Sequence, residues 1–145
     1  MRRNLSNDYI VGLIDGEGSF TVYIKNPNNL TKLKRRVKAE PRFYVKLIEK
    51  DKNILYELKE FFGCGNVYFQ KDTRPNHQNC YRFEITNRYD LEKIIIPFFR
   101  KHKLRFSSKQ KDFNLFCTLM EKIRRGNHLT NSGLITMYKI KQKMH

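Results

Sequence analysis

There is no tryptophan among the 145 residues, and there are only 7 glycines, 4 prolines and 3 cysteines. Cys64, Cys80 and Cys117 are odd in number and irregularly spaced. They make neither a disulfide framework nor a zinc signature, so reduced cysteines are expected. His77 and Cys80 lie close together, without a second ligand pair. No apolar run approaches membrane-spanning length, so no membrane insertion is expected. Met1-Arg2-Arg3 is not expected to open a signal peptide. Negative charge is also scarce, with 14 Asp and Glu against 30 Lys and Arg and a net charge of +16. That excess points to a polyanion, either nucleic acid or an anionic membrane surface. The basic residues fall in strand-like and loop-like stretches more than along one amphipathic helix, which favours nucleic acid. Abundant Lys, Asn, Ile, Phe and Tyr are what an AT-rich genome encodes, so an organellar origin (mitochondrion or chloroplast) is expected.

The stretch around which the chain is organised is Ser6 to Phe20, SNDYIVGLIDGEGSF. Ser6 is suited to cap a helix, and Asp8 suits its positive first turn. Tyr9, Ile10, Val11, Leu13 and Ile14 are apolar on almost every side, so this helix is expected to be buried all round. Gly12 and Gly16 share one face, each at a cost of about 1 kcal/mol relative to alanine in a helix. Close approach of another helix backbone would account for them. Asp15 and Glu17 fall in the last turn, where the helix dipole disfavours acids and the last carbonyls lack partners. Carboxylate and carbonyl oxygens at one point suit a hard divalent cation. They equally suit a frayed helix end with two solvated acids.

Beyond Gly18 the period changes to two. Phe20, Val22 and Ile24 alternate with Ser19, Thr21, Tyr23 and Lys25 in a half-buried strand. A turn at Asn26-Pro27-Asn28-Asn29 leads into the basic run Lys32 to Lys38. A second strand follows Pro41, with Phe43, Val45 and Leu47 inward and Arg42, Tyr44 and Lys46 outward. Asp51 is placed to cap a helix over Lys52–Phe62, which Gly63 ends. The third and fourth strands place Val67, Phe69, Tyr81, Phe83 and Ile85 inward, and Asn66, Tyr68, Gln70, Arg82 and Glu84 outward. A polar loop with Arg74, Pro75 and His77 joins them. A third helix carries Leu91, Ile94, Ile95 and Phe98, and Pro97 should bend or end it. After the basic stretch Arg100 to Lys111, a long helix to about Arg125 and a last short one, Leu134 to Met144, are expected. Length, composition and the absence of a linker indicate one domain, 1–145. The expected fold is α+β, in the order αββαββα. It has a four-stranded antiparallel sheet, helices on one face and additional C-terminal helices.

Ile10 to Gly18, IVGLIDGEG, resembles the motif of the LAGLIDADG homing endonucleases. Gly12, Leu13, Ile14, Asp15 and Gly18 match it letter for letter, and Glu17 stands at its acid position. The αββαββα order is also the family's core order. Gly63-Cys64-Gly65, Pro97-Phe98-Phe99, Lys109 ahead of Phe113, and Asn127-His128-Leu129 add to the likeness. A single motif resembles the family's homodimers rather than its two-motif monomers.

The resemblance implies a homodimer whose motif helices cross at Gly12, Leu13, Asp15 and Gly16. It implies Mg2+, two or more per dimer, held by Glu17 and the Gly16 carbonyl, with Lys109 as a second catalytic group. Asp15 is implied in helix-end hydrogen bonding. The expected activity is a double-strand break at a long, roughly palindromic site, one strand per active site, with 3′ overhangs. By strand parity, a saddle-shaped face of Ser19, Thr21, Tyr23, Lys25, Lys38, Arg42, Tyr44, Lys46, Tyr68, Gln70 and Arg82 would meet the major groove. Arg and Lys there can read guanine, and Gln70 adenine. Lys32, Lys34, Arg36, Arg74, His77 and Arg100 to Arg105 would hold phosphates. His128 reads as a structural loop residue. Family members often have Gln near Leu47, which cannot order water. The alternatives are an intron-RNA maturase or DNA-binding regulator without catalysis, and a small basic ribosomal or RNA-scaffolding protein.

Overall fold

A computed structural model describes residues 4–27 and 38–145. Helix α1, Asn7–Glu17, runs directly into β1, Gly18–Ile24. Ser6 caps α1 by accepting from the Tyr9 N–H. Gly18 is extended, with φ −83°, so a left-handed backbone is not its purpose. A Cβ there would stand 2.5 Å from Ile14 Cγ2, so only glycine lets the strand leave the helix this closely.

Next come β2, Ala39–Ile48, and α2, Lys52–Phe62, then β3, Asn66–Gln70, and β4, Cys80–Ile85. All pairs are antiparallel and the sheet order is β1-β2-β4-β3. The α+β reading, with its αββαββα order, holds. A 3-10 turn, Glu49–Asp51, precedes α2, and the Asp51 side chain makes no cap bond. Pro41 lies within β2 rather than before it. It pairs with Val22 of β1, upstream of where β4 joins at Phe43, so its missing N–H interrupts no central ladder.

The third helical region continues through Pro97. It comprises α3, Arg88–Asp90, a π-helical turn Leu91–Ile95, and α4, Ile96–Lys101. The Ile96 N–H bonds to the Leu91 carbonyl, and Pro97 follows in the first turn of α4, where no N–H is needed. Helix α5 spans Ser107–Arg124, and after a 3-10 turn α6 spans Asn131–Lys141, capped by Thr130.

The core lies between the sheet and the helices. Phe20 is its hub, with ring centroids 5.1 Å from Phe43 and Phe113, 5.4 Å from Phe99 and 5.5 Å from Phe116. Burial of such a side chain contributes about 1.5–3 kcal/mol. Because Phe20 follows α1 by only a few residues, this cluster also fixes the end of α1. Phe69 differs from expectation: β3 is an edge strand, and Phe69 is 47% exposed, with its ring edge-on to Tyr81.

Candidate active site and sheet face

Helix α1 is not buried all round. Ile10, Val11, Ile14 and Asp15 face the core. Tyr9, Gly12, Leu13 and Gly16 form the opposite stripe, with Tyr9 48% exposed and Leu13 partly covered. Nothing lies within 4 Å of a Cβ placed at Gly12 or Gly16. Their small size therefore serves no contact among the described residues.

Asp15 takes the helix-end hydrogen-bonding role that the resemblance implies. It is 5% exposed, and its carboxylate accepts from the Arg105 N–H at 3.0 and 3.1 Å and from the Phe106 N–H at 3.1 Å. Phe106 is the cap residue of α5, so this acid sits at the positive end of that helix. The link holds the start of α5 against the end of α1. One turn into α5, the Lys109 Nζ donates to the Gly18 carbonyl. Lys109 therefore reaches the backbone one residue past Glu17, although 92 positions separate the two in sequence.

Glu17 and Gly16 are exposed at the end of α1. Glu17 opens into a cleft of about 580 Å³, lined also by Lys46, Leu47, Asp51, Arg74 and His77. Arg74 and His77 thus share the cleft of the acid. Arg74 is bound to Asp72 at 2.7 Å, which holds that carboxyl well below the usual range. Leu47 presents only hydrocarbon to the cleft, so no side-chain amide orders water at this position. Among the described residues, no three His, Cys, Asp or Glu side chains form a metal cage. The oxygen donors at Glu17 and Gly16 suit a hard cation, which would draw its remaining ligands from water or from other molecules.

The open face of the sheet follows the expected parity. Cross-strand rows place Ser19, Tyr44, Glu84 and Asn66 side by side, then Lys46, Arg82 and Tyr68, then Ile48, Cys80 and Gln70. On the other side lie Thr21 beside Arg42 and Tyr23 beside Glu40. Lys25 continues the line, its N–H bonded to the Lys38 carbonyl. The Arg82 guanidinium lies 3.6 Å from the Tyr44 ring centroid. Burial and the hydrogen bond to Glu84 push the Tyr68 hydroxyl pKa up. Lys32, Lys34 and Arg36 lie outside the described residues. Arg100 stands beside Cys117 of α5, in the helical layer.

The sequence reading did not place α6 at this face. It flanks β1, and Lys141 Nζ donates to Thr21 Oγ1 at 2.7 Å. Tyr138, Lys141 and Gln142 form a groove with Thr21, Arg42 and Arg82. Nothing in the local period of α6 distinguishes an edge position from a core-facing one. His128 is half-buried in a second pocket with Lys38, Glu40 and Arg88. Burial, then Arg88 and Lys38, hold its pKa below the usual value.

Residues 10–120 match the LAGLIDADG endonuclease family. The chain belongs to that family. It is 31% identical over 112 residues to a probable intron-encoded DNA endonuclease 1 of Mycosarcoma maydis, covering 77% of this chain and 35% of the relative. It thus spans about a third of that relative's length. The same fold is found in the crystal structure of the homing endonuclease I-TnaI, with TM-score 0.79, 35% identity, and coverage of 99% of this chain and 90% of that one. I-SmaMI, solved on uncleaved DNA target with calcium ions, gives TM-score 0.80 and 32% identity over 97% of this chain and 45% of that one. No helix among the described residues is long and apolar enough to cross a membrane.

Proposed function

We propose that this protein is a site-specific double-strand DNA endonuclease, dependent on Mg2+ and working as a homodimer, with residues 1–145 forming one domain. The observation that carries the reading is the open end of α1. Its glycine stripe is uncovered, Glu17 points into a cleft, and Lys109 is held beside it at the Gly18 carbonyl.

Two α1 stripes packed about a dyad would bury Tyr9, Gly12, Leu13 and Gly16 and bring two Glu17 side chains together. Two carboxylates at one place repel unless cations intervene. Glu17 and the Gly16 carbonyl would hold Mg2+, which supplies an activated water and stabilises the attacking and leaving oxygens of a phosphodiester. Lys109 supplies positive charge where the phosphorane charge develops. Glu17 orients water on the scissile phosphate. Each copy acts on one strand.

The sheet face supplies recognition. Tyr44, Lys46, Arg42 and Arg82 suit base edges in a major groove, and Arg74 and His77 suit phosphates beside the cleft. I-SmaMI was solved on DNA and is covered for just under half its length, which supports a recognition unit used twice. The relatives named as intron-encoded come from fungi, which supports an organellar origin.

The test is sedimentation of the protein together with cleavage of a pooled random-sequence duplex library in Mg2+, in Ca2+ and in EDTA. A dimer that cuts both strands in Mg2+ and only binds in Ca2+ is expected. A monomer that cuts duplex DNA at nanomolar protein, or cutting in EDTA, contradicts the reading.

A further inference from the structure

A carboxylate stands at the centre of a face otherwise suited to a polyanion. Glu84 lies on β4, side by side with Tyr44 of β2 and Asn66 of β3. Its Oε1 accepts from Arg42 Nε and from Arg82 NH2, each at 3.0 Å. Its Oε2 accepts from the Tyr68 hydroxyl at 2.7 Å. One acid thus ties together side chains from three strands. Arg82 is held twice, by Glu84 below and by the Tyr44 ring against its plane, and Arg42 is held twice, by Glu84 and by Glu40. The network is not closed on itself. Arg82 Nε is buried and has no hydrogen-bond partner, so Glu84 does not satisfy the whole guanidinium.

A half-buried acid at this place repels phosphate and lowers affinity for any nucleic acid. In a chain with 30 basic and 14 acidic residues, raw attraction to DNA is already plentiful. What long basic side chains lack is a fixed direction, and an arginine reads a base only when its fork is held in the plane of the base pair. A free arginine on the same face would swing to the nearest phosphate, which carries no sequence information.

We propose that Glu84 is a positioning residue for sequence discrimination. It holds Arg42, Arg82 and Tyr68 toward the base edges and keeps the two arginines off the phosphates, so that it raises specificity while lowering non-specific affinity. The proposal rests on the DNA-reading role of the sheet face. The bases it serves are guanines within each half-site, whose N7 and O6 accept from a fixed guanidinium.

The experiment is selection of bound sequences from a random duplex library in Ca2+, for the wild type, Glu84→Gln and Glu84→Ala, each checked for folding by circular dichroism. Affinity for the wild-type consensus and for a scrambled duplex is then measured against salt. For wild type, interior guanines are expected in each half-site. For Glu84→Ala those positions should lose roughly 5- to 150-fold of discrimination, the range of one bidentate contact. Binding to scrambled duplex should tighten, and its log–log salt slope should steepen by about 1–2 per subunit as the arginines reach phosphates. Glu84→Gln keeps an acceptor and the volume, so it should fall between the two, and it decides the matter if the alanine variant does not fold. A role confined to sheet stability predicts an unchanged consensus and an unchanged salt slope in folded variants. That result overturns the proposal and leaves the endonuclease reading intact. A wild type that enriches no duplex sequence overturns the DNA reading itself, and this proposal with it.

Discussion

The carboxylate of Asp15 accepts a hydrogen bond from the Phe106 N–H at 3.1 Å, so the last turn of α1 caps the first turn of α5. This contact is what brings Lys109 to the end of the motif helix. Asp15 is buried, and its carboxylate accepts from both the Arg105 and the Phe106 N–H groups. Replacing Asp15 by Ala should therefore lower stability by about 2–4 kcal/mol, from lost charged hydrogen bonds and stranded donors. Urea denaturation checks this. A loss under about 0.5 kcal/mol would show that the link between the helices is incidental.

The three motif glycines should separate cleanly. Gly18→Ala forces a methyl onto Ile14 and should cost about 1–3 kcal/mol in the folded chain. Gly12→Ala and Gly16→Ala meet nothing within the described chain and remove a poor helix former, so each should leave stability unchanged or raise it by up to about 1 kcal/mol. Both should weaken self-association in sedimentation. Dimers of undiminished strength in Gly12→Ala and Gly16→Ala would place the interface elsewhere.

Lys109→Met keeps the hydrocarbon stem against Gly18 and removes the charge. Single-turnover cleavage should slow by about 10²–10³-fold, the usual cost of one transition-state donor. Filter binding to the same site should change by less than a few-fold. A parallel loss of binding would make Lys109 a phosphate contact rather than part of the catalytic group.

The pH dependence of stability should carry the mark of His128. Burial and the facing charges of Arg88 and Lys38 lower its folded pKa below 6.5, so the folded chain favours the neutral ring. The stability this contributes is complete above pH 6.5 and is lost as pH falls through the lower folded value. Without DNA, the urea midpoint should therefore fall as pH drops below 6.5, and His128→Gln should flatten that part of the curve. An identical slope in the variant would remove His128 from the account.

The strands were legible in the sequence because one face of each is covered: Phe20, Val22, Phe43, Val45, Phe83 and Ile85 are all buried, in a strict period of two. Phe69 obeys the same period yet stays exposed: β1 is an edge strand too, but α5 and α6 pack on it, and which edge the helices cover is not encoded in local alternation. The motif helix was readable as a helix but not as half-covered, since Tyr9 and Leu13 are as apolar as the residues that face the core. Glu17 and Lys109 were picked out as candidates by likeness to the family motif. Asp15 makes the helix-end hydrogen bonds that the resemblance implies, but their donors, backbone N–H groups 90 and 91 residues away, have no sequence signature. Lys141 was missed for the same kind of reason: its meeting with Thr21 is made by the path of α6 around β1.

Cleavage and binding by Glu17→Gln test the central claim most directly. The comparison uses wild type and variant on one duplex carrying the site selected by the wild type, in Mg2+ and in Ca2+. The account predicts that the variant forms the same complex with similar affinity in both ions and cuts neither strand in Mg2+, while the wild type cuts both. A Glu17→Gln protein that cleaves at a rate near that of the wild type would contradict it.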